Sequence, residues 1–535
     1  MMMKKKLFFL IFILIIGGLF SFQSRFFEIA KQLEIYNNLF KELNINYIDE
    51  INPAELTDKA IKSTLKNLDP YTNFYNEQDV ETARIRREGE YGGLGIAIFN
   101  NKKGLVISEV YQGFSGDKAG LKIGDIITWV DGQKLAELPK KQRSQTLKGT
   151  PNKELSLRID TNNKTQEIRL KLDKVILNPV PFYSMINSET GYIVLRKFTN
   201  QKATEQVRNA FKELKEKGMK KLIFDLRNNP GGSLYDAVNI TNLFIPKGLK
   251  VVDTRGKIEK NTRTYNTNQQ PLDTQIPLVV LINDRSASAS EIVSGALQDY
   301  DRAVIMGERS FGKGLVQRYF KLNYGTQMKA TISKYYTPSG RCIQELDYAN
   351  RNVKTGKIPK FSETATHIFT TKNGRKVYDG GGVTPDIKTG FAKKSAETKK
   401  LLQSKAIFNF VTDFIQKKST SKNLDFKNFE KYLLTIDTTF VTTPEKLFKK
   451  AYTSVKNNTT ISTTYNSITQ QLKADKIEKI RDNQDFLSKE IQKELIKRNA
   501  YQQGVFKQQL HTDTTIEKAV KLLDNQKKYQ HILAK

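Results

Sequence analysis

Two short segments of this chain carry a serine and a lysine whose types could together attack a carbonyl. One is Asn283-Asp284-Arg285-Ser286-Ala287-Ser288-Ala289-Ser290-Glu291-Ile292, the other Gly307-Glu308-Arg309-Ser310-Phe311-Gly312-Lys313-Gly314-Leu315-Val316-Gln317. A serine hydroxyl attacks a carbonyl only when a nearby base takes its proton. Histidine is the usual base, yet the chain holds only 3. His367 lies in a polar stretch, and His511 and His531 lie in a distant tail of helical pattern. Lys313 is the better-placed base, and serine with lysine is one of the variants on the catalytic-triad theme.

Each segment also has a plainer reading. Ser288-x-x-Glu291 is the signature of a capping box at a helix start, and three alternating serines leave the nucleophile unassigned by local logic. Gly307-x-x-x-x-Gly312-Lys313 looks like a phosphate-binding loop. Position 314 is glycine, however, where a magnesium-binding Ser or Thr belongs, and Leu315-Val316-Gln317-Arg318-Tyr319-Phe320 reads as a strand rather than a helix. In an extended segment Lys313, Leu315 and Gln317 point to one side, so Gln317 can hold the lysine amine. Phe311 and Leu315 are candidate walls of an apolar pocket, which would favour the neutral amine that a base requires.

The elements that must position these groups are read from periodicity. After Val175 the rhythm is strand–helix–strand. Gly191 to Leu195, Lys221 to Leu226, Pro277 to Ile282 and Ala303 to Met306 read as strands, and Ala203 to Lys217, Leu234 to Leu243 and Ser290 to Leu297 as helices. Such alternation predicts an α/β core with a largely parallel sheet. Asn229-Pro230-Gly231-Gly232 is a second strand-to-helix turn, and both turns can emerge at one sheet edge. Upstream, 25–88 is helical in pattern, broken at Asp69-Pro70, with Thr72 as a cap for the helical residues beyond the break. Residues 89–172 are glycine-rich with short strands and a turn at Asn162-Asn163, a small β module in which Trp129 reads as core. The core is expected over 173–392. The stretch 393–535 is polar, lysine-rich and helical, clearest at Ser395 to Lys418 and Ala474 to Lys497, with Asn457 to Thr464 read as a loop.

A length of 535 residues requires several domains. The net charge of +32 is spread along the chain, and no zinc-finger spacing, RNA-binding signature or long basic arm accompanies it, so nucleic acid is not the expected partner. One cysteine, Cys342, excludes an intrachain disulfide. Met1-Met2-Met3-Lys4-Lys5-Lys6 followed by apolar residues from Leu7 has the form of a signal peptide, 1–24, or of an uncleaved anchor over residues 7–22. Either way the remainder is expected to be exported.

Further segments fall into one pattern with the serine and lysine motifs. They are Leu68-Asp69-Pro70-Tyr71-Thr72, Tyr91-Gly92-Gly93-Leu94-Gly95-Ile96, Ala119-Gly120-Leu121-Lys122-Ile123-Gly124-Asp125, Asp225-Leu226-Arg227-Asn228-Asn229-Pro230-Gly231-Gly232, Tyr335-Tyr336-Thr337-Pro338-Ser339-Gly340-Arg341 and Gly381-Gly382-Val383-Thr384-Pro385-Asp386-Ile387. From about residue 30 to 390, in this order, the chain resembles the carboxyl-terminal processing proteases, also called tail-specific proteases. The resemblance implies Ser288 as nucleophile, Lys313 as general base and Gln317 as its support. It implies an oxyanion hole from the amides of Ala289 and a glycine of the 231–232 pair, Gly232 being preferred. The β module resembles a PDZ domain, whose loop Gly92, Gly93, Leu94, Gly95 and Ile96 would receive a peptide carboxylate while the peptide adds to the module's edge.

The expected whole is a multidomain α/β protein with a parallel-sheet-rich protease core, a PDZ domain, an N-terminal helical segment and a C-terminal helical region. Its expected function is a serine endopeptidase of the bacterial cell envelope. It would act on protein C-terminal tails through an acyl-enzyme, without cofactor or metal, periplasmic after signal cleavage or membrane-anchored through the N-terminal segment. The alternative is a non-catalytic PDZ scaffold that binds protein C-termini. Residues 393–535 lie outside the match, with adaptor docking, self-association or regulation as their open roles.

Overall fold

The computed structural model describes residues 26–77, 79–80, 83–84, 90–161, 164–199, 202–361, 367–390, 394–416, 423–453 and 459–534. The apolar segment 7–22 and the turn at Asn162-Asn163 lie outside them. The chain divides into two units, residues 1–77 with 319–330, and residues 78–318 with 331–535.

In the smaller unit a helix covers residues 26–46, with Phe27, Leu33 and Leu39 exposed. A second helix, Pro53–Lys66, starts where sequence logic puts it: Asn52 accepts from the N–H groups of Ala54 and Glu55, and Pro53 takes the first turn. The region up to 88 is not helical throughout. The Asp69 carboxylate accepts from Tyr71 N–H and Thr72 N–H, and this turn sends the chain into the strand Asn73–Tyr75, paired with residues 327–329. Thr72 therefore closes a turn on Asp69 instead of capping a helix.

In the larger unit the β module is an antiparallel sheet in the order Ile96–Asn100, Leu105–Val110, Ile126–Val130, Glu154–Thr161, Lys164–Lys171. Alternate residues such as Leu105 and Ile107, or Leu155, Leu157 and Ile159, build its core. Ile96–Asn100 is an edge strand. Glu90–Gly93 pairs instead with Asp173–Ile176, in a separate two-stranded sheet. Trp129 is half-buried on the outer face, with the Arg158 guanidinium 5.0 Å above its ring, and is not a core residue.

The protease core is a six-stranded sheet in the order Phe182–Met185, Thr190–Val194, Lys221–Asp225, Leu278–Ile282, Val304–Gly307, Ile387–Lys388. The first pair is antiparallel and every later pair parallel. One face, with Ile193, Leu222, Phe224, Leu278 and Val280, packs on the helices Lys202–Glu216, Leu234–Asn242 and Ala289–Asp299. The other face, with Tyr192, Val194, Ile223, Val279 and Leu281, is covered by Ile516, Ala519, Leu522, Tyr529 and Leu533. These come from the helices Thr514–Asp524 and Gln526–Ala534. The end of the C-terminal region therefore completes the protease core, which explains why the central strands are apolar on both faces. Each such side chain contributes about 1.5–3 kcal/mol by its burial.

The rest of the C-terminal region has its own core of Leu401, Phe410, Phe429, Leu433, Ile480 and Leu487. The amphipathic stretch from Ser395 is two helices, Ala396–Gln403 and Ala406–Ile415. Residues 459–464 are helical, not a loop: they begin the helix Thr459–Arg481. Tyr465 of that helix stacks on Tyr452 with ring centroids 3.8 Å apart, a tertiary contact that outweighs the weak helix propensity of threonine.

Candidate active site

Ser288 sits between the end of Leu278–Ile282 and the helix Ala289–Asp299. Its backbone adopts φ 56° and ψ −114°, rare for a residue with a Cβ and maintained only where the surroundings over-determine it. Glu291 is one of the groups that hold it. Its fully buried carboxylate accepts from Ser288 N–H at 2.7 Å, the reciprocal half of a capping box. The same carboxylate accepts from Lys313 N–H at 2.9 Å, Gly312 N–H at 2.6 Å and the Ser310 hydroxyl at 2.6 Å. Burial raises this carboxyl above its ordinary range, and the four donors offset that only in part. Every group bonded to it is a donor, as the ionised form needs.

The N–H groups of Ser288 and Lys313 thus meet on one oxygen, Glu291 Oε2. Their carbonyls meet on another group: the hydroxyl of Tyr335, which is 1% exposed, reaches Ser288 O at 3.1 Å and also Lys313 O. The peptide groups of the two residues are bracketed from both sides. Local reasoning classed Glu291 as a helix cap and left Tyr335 as one residue of a motif. Neither role is visible in a sequence window, because the partners lie 22 and 47 residues away.

The three serines separate cleanly. Ser286 is buried, accepts from Asn283 N–H at 2.9 Å and donates to Leu226 O at 2.8 Å. Ser290 is buried and donates to Asn229 O at 2.9 Å. Both hydroxyls serve the turn, whereas Ser288 is half-buried at the positive-φ position.

Gly231 packs against this turn so closely that a Cβ there would lie 2.9 Å from Ser288 Cβ and 2.7 Å from Ala287 O. Gly231 N–H is taken by the Asn229 side chain at 2.9 Å. A Cβ on Gly232, at φ 148°, would lie 2.0 Å from Phe198 O. Among the described residues, neither Gly232 N–H nor Ala289 N–H donates to a protein acceptor. The turn at 228–232 and the turn at 283–289 do emerge at one sheet edge, joined by paired bonds between Asn228 and Asn283.

Lys313 Nζ donates to Gln317 Oε1 at 2.8 Å, and Gln317 Nε2 to Thr331 Oγ1 at 3.3 Å. Leu315–Lys321 is a strand. The amides that a phosphate would need are engaged: Gly312 and Lys313 on Glu291, Gly314 on Gln344 Oε1 at 2.8 Å. Leu315 is buried, but Phe311 is 45% exposed, so of the two candidate walls only Leu315 is shielded from solvent. His367 is exposed and pairs with Asp379 at 3.0 Å. The motif residue Arg227 is structural: it joins Asp225, at the end of a core strand, to Asp513, the cap of Thr514–Asp524.

In the β module Gly92 and Gly93 are paired with Lys174 and Asp173. A Cβ on Gly92 would lie 1.9 Å from Gly149 O, so its small size serves strand pairing. Leu94, Gly95 and Ile96 form the turn into the edge strand. Leu94 O accepts from Gly116 N–H, Gly95 O from Tyr111 N–H, and Gly95, at φ 68°, lies against the Phe114 ring.

Comparison with known proteins agrees with this architecture. Peptidase family S41 matches residues 189–349, the PDZ domain residues 82–160, and the family described as "Probable PDZ-protease, C-terminal helical domain" residues 397–523. The carboxy-terminal-processing protease of Bartonella bacilliformis is 31% identical over 318 residues, covering 59% of this chain and 73% of that protein. A probable CtpA-like serine protease of Staphylococcus aureus is 30% identical over 311 residues, covering 57% of this chain and 61% of that one. Among solved structures, the photosystem II D1 C-terminal processing protease is 26% identical, with a TM-score of 0.37 over 66% of this chain and 92% of that one. The chain belongs to the PDZ-containing carboxyl-terminal processing proteases, serine-type peptidases of family S41.

Proposed function

We propose that the chain is an endopeptidase that cleaves proteins carrying an accessible C-terminal tail, with Ser288 as nucleophile and Lys313 as general base. The observation that carries this reading is the double bracketing of Ser288 and Lys313 by Glu291 and Tyr335, together with the bond from Lys313 to Gln317. Ser288 Oγ attacks the scissile carbonyl carbon as its proton passes to the neutral Lys313 amine. The oxyanion forms against the N–H groups of Gly232 and Ala289, which donate to no protein acceptor among the described residues. Collapse breaks the C–N bond, the leaving amine takes the proton from Lys313, and an ester to Ser288 remains. Water, deprotonated by Lys313, then attacks that ester and releases Ser288 with its proton restored.

Tail selection belongs to the β module. Among the described residues Ile96–Asn100 pairs with a strand on one side only, which supports addition of a peptide strand on the other, with its carboxylate received at the turn Leu94 to Ile96. The basic run Lys4-Lys5-Lys6 and the apolar residues 7–22 support export of the rest of the chain. Cell fractionation tests the address, and a protein found only in the cytoplasm would overturn it.

The catalytic reading is tested with a tail-bearing protein substrate and the variants Ser288→Ala, Lys313→Ala, Lys313→Arg and His367→Ala, each checked for folding by circular dichroism. The first three are expected to be folded and inactive, and His367→Ala to cleave like the native protein. Cleavage by Lys313→Ala would overturn the mechanism. Inactivity of His367→Ala alone would favour a histidine base, and binding without cleavage by the native protein would favour the scaffold.

A further inference from the structure

The helix Gln484–Thr512 breaks in its middle. Ala500 sits at φ −138°, ψ 21° and Tyr501 at φ 52°, ψ −169°. The latter region is essentially reserved for glycine, and a bulky aromatic residue stays there only when its contacts hold it. Those contacts lie in another domain. The Tyr501 ring packs on the core of the PDZ module, and its hydroxyl donates to Asp117 Oδ1 at 2.6 Å. Gly504 permits the break, since a Cβ there would lie 2.4 Å from Ala500 Cβ.

Asp117 belongs to the short helix Ser115–Lys118, which supports the candidate carboxylate turn. Its other oxygen accepts from Gly113 N–H at 2.8 Å, Gly116 N–H donates to Leu94 O at 2.9 Å, and the Phe114 ring lies against Gly95. A second contact from the C-terminal helices reaches the edge strand itself, where Phe408 meets Phe99 edge-on, with centroids 5.2 Å apart.

We propose that Tyr501 is a positioning residue for tail recognition: through Asp117, the C-terminal helical domain holds the PDZ carboxylate turn in its binding shape. The inference rests on the reading that the turn at Leu94 to Ile96 takes a peptide carboxylate. It gives the C-terminal helical domain a role in substrate selection that is separate from its covering of the protease sheet. The hydroxyl–carboxylate bond is charge-assisted, and its loss leaves the carboxylate without that partner. A coupling of ordinary size changes tail affinity by about tenfold.

The test uses the full chain carrying Ser288→Ala, so that peptides are bound and not cut. The probe is a fluorescein-labelled decapeptide of alternating Ala and Leu, as the free acid and as the C-terminal amide, read by fluorescence anisotropy. The parent is expected to favour the acid. Tyr501→Phe, which keeps the ring and its packing, is expected to weaken the acid about tenfold and leave the amide unchanged. Asp117→Asn should do the same, and the double variant should be no worse than either single one. With Ser288 restored, Tyr501→Phe should raise KM for a tailed substrate and leave kcat unchanged, which a merely structural loss would not do. A parent that favours the acid while Tyr501→Phe binds like it, or additive effects of the two substitutions, would overturn the positioning role alone. A parent that does not distinguish acid from amide removes the carboxylate reading and this inference with it.

Discussion

The proposed Ser288–Lys313 site and the proposed carboxylate turn of the PDZ module both lie at glycine-bearing turns, yet they are supported differently. Around Ser288 the two groups that bracket its peptide, Glu291 and Tyr335, are internal to the protease core and buried. Glu291 and Tyr335 lie at 0% and 1% exposure and join the nucleophile turn to the lysine loop. Around Leu94 to Ile96 the supports come partly from another domain, among them the Tyr501–Asp117 bond, the Phe99–Phe408 pair and Lys405 over the Phe99 ring. A dense buried network leaves a site one arrangement, which suits chemistry that depends on sub-ångström placement. A support that crosses between domains and includes a strained residue gives way more readily than a buried network within one core.

That contrast predicts where substitutions should act. Lys313→Ala removes a reacting group and should lower kcat by about 10⁴-fold or more without loss of folding. Glu291→Gln places an NH₂ against two of the donors whichever way the amide turns, since each oxygen faces two of them. Its expected cost is about 2–4 kcal/mol of stability in chemical denaturation and a roughly 100-fold drop in kcat, with KM little changed. If Glu291→Gln acted on KM instead, the division between a rigid chemical site and a yielding recognition site would fail. Tyr335→Phe removes the hydroxyl that reaches both carbonyls and should lower kcat about five- to tenfold, for a loss near 1 kcal/mol. A kcat unchanged by Tyr335→Phe would show that Glu291 alone sets the spacing of the two loops.

Much of the core was legible because its signals are local. Alternating apolar strands and amphipathic helices between residues 190 and 307 are consequences of backbone periodicity, and a strand after Gly314 argued against a phosphate loop before any contact was known. Misreadings arose where distant partners decide. Residues 459–464 look like a loop until Tyr452 stacks on Tyr465, and Trp129 looks like core until the sheet turns it outward under Arg158. The doubly apolar strands did signal a second covering layer. A run such as Leu278–Ile282 cannot say that the layer comes from residues near 520, because periodicity reports that a face is buried and not what buries it.

By itself, then, the sequence determined the layered α/β core, the β module before it, and a serine and a lysine on neighbouring turns. Only the tertiary structure distinguished the three serines, with Ser286 and Ser290 buried in bonds to backbone carbonyls and Ser288 half-buried at a positive φ. It alone turned Glu291 from a helix cap into the joint between both loops, and tied Tyr501 to Asp117 across 384 residues. The physical reason is common to these cases. A residue's conformational preference is written in its neighbours along the chain, whereas its hydrogen-bond partner is whichever group the folded chain brings within about 3 Å.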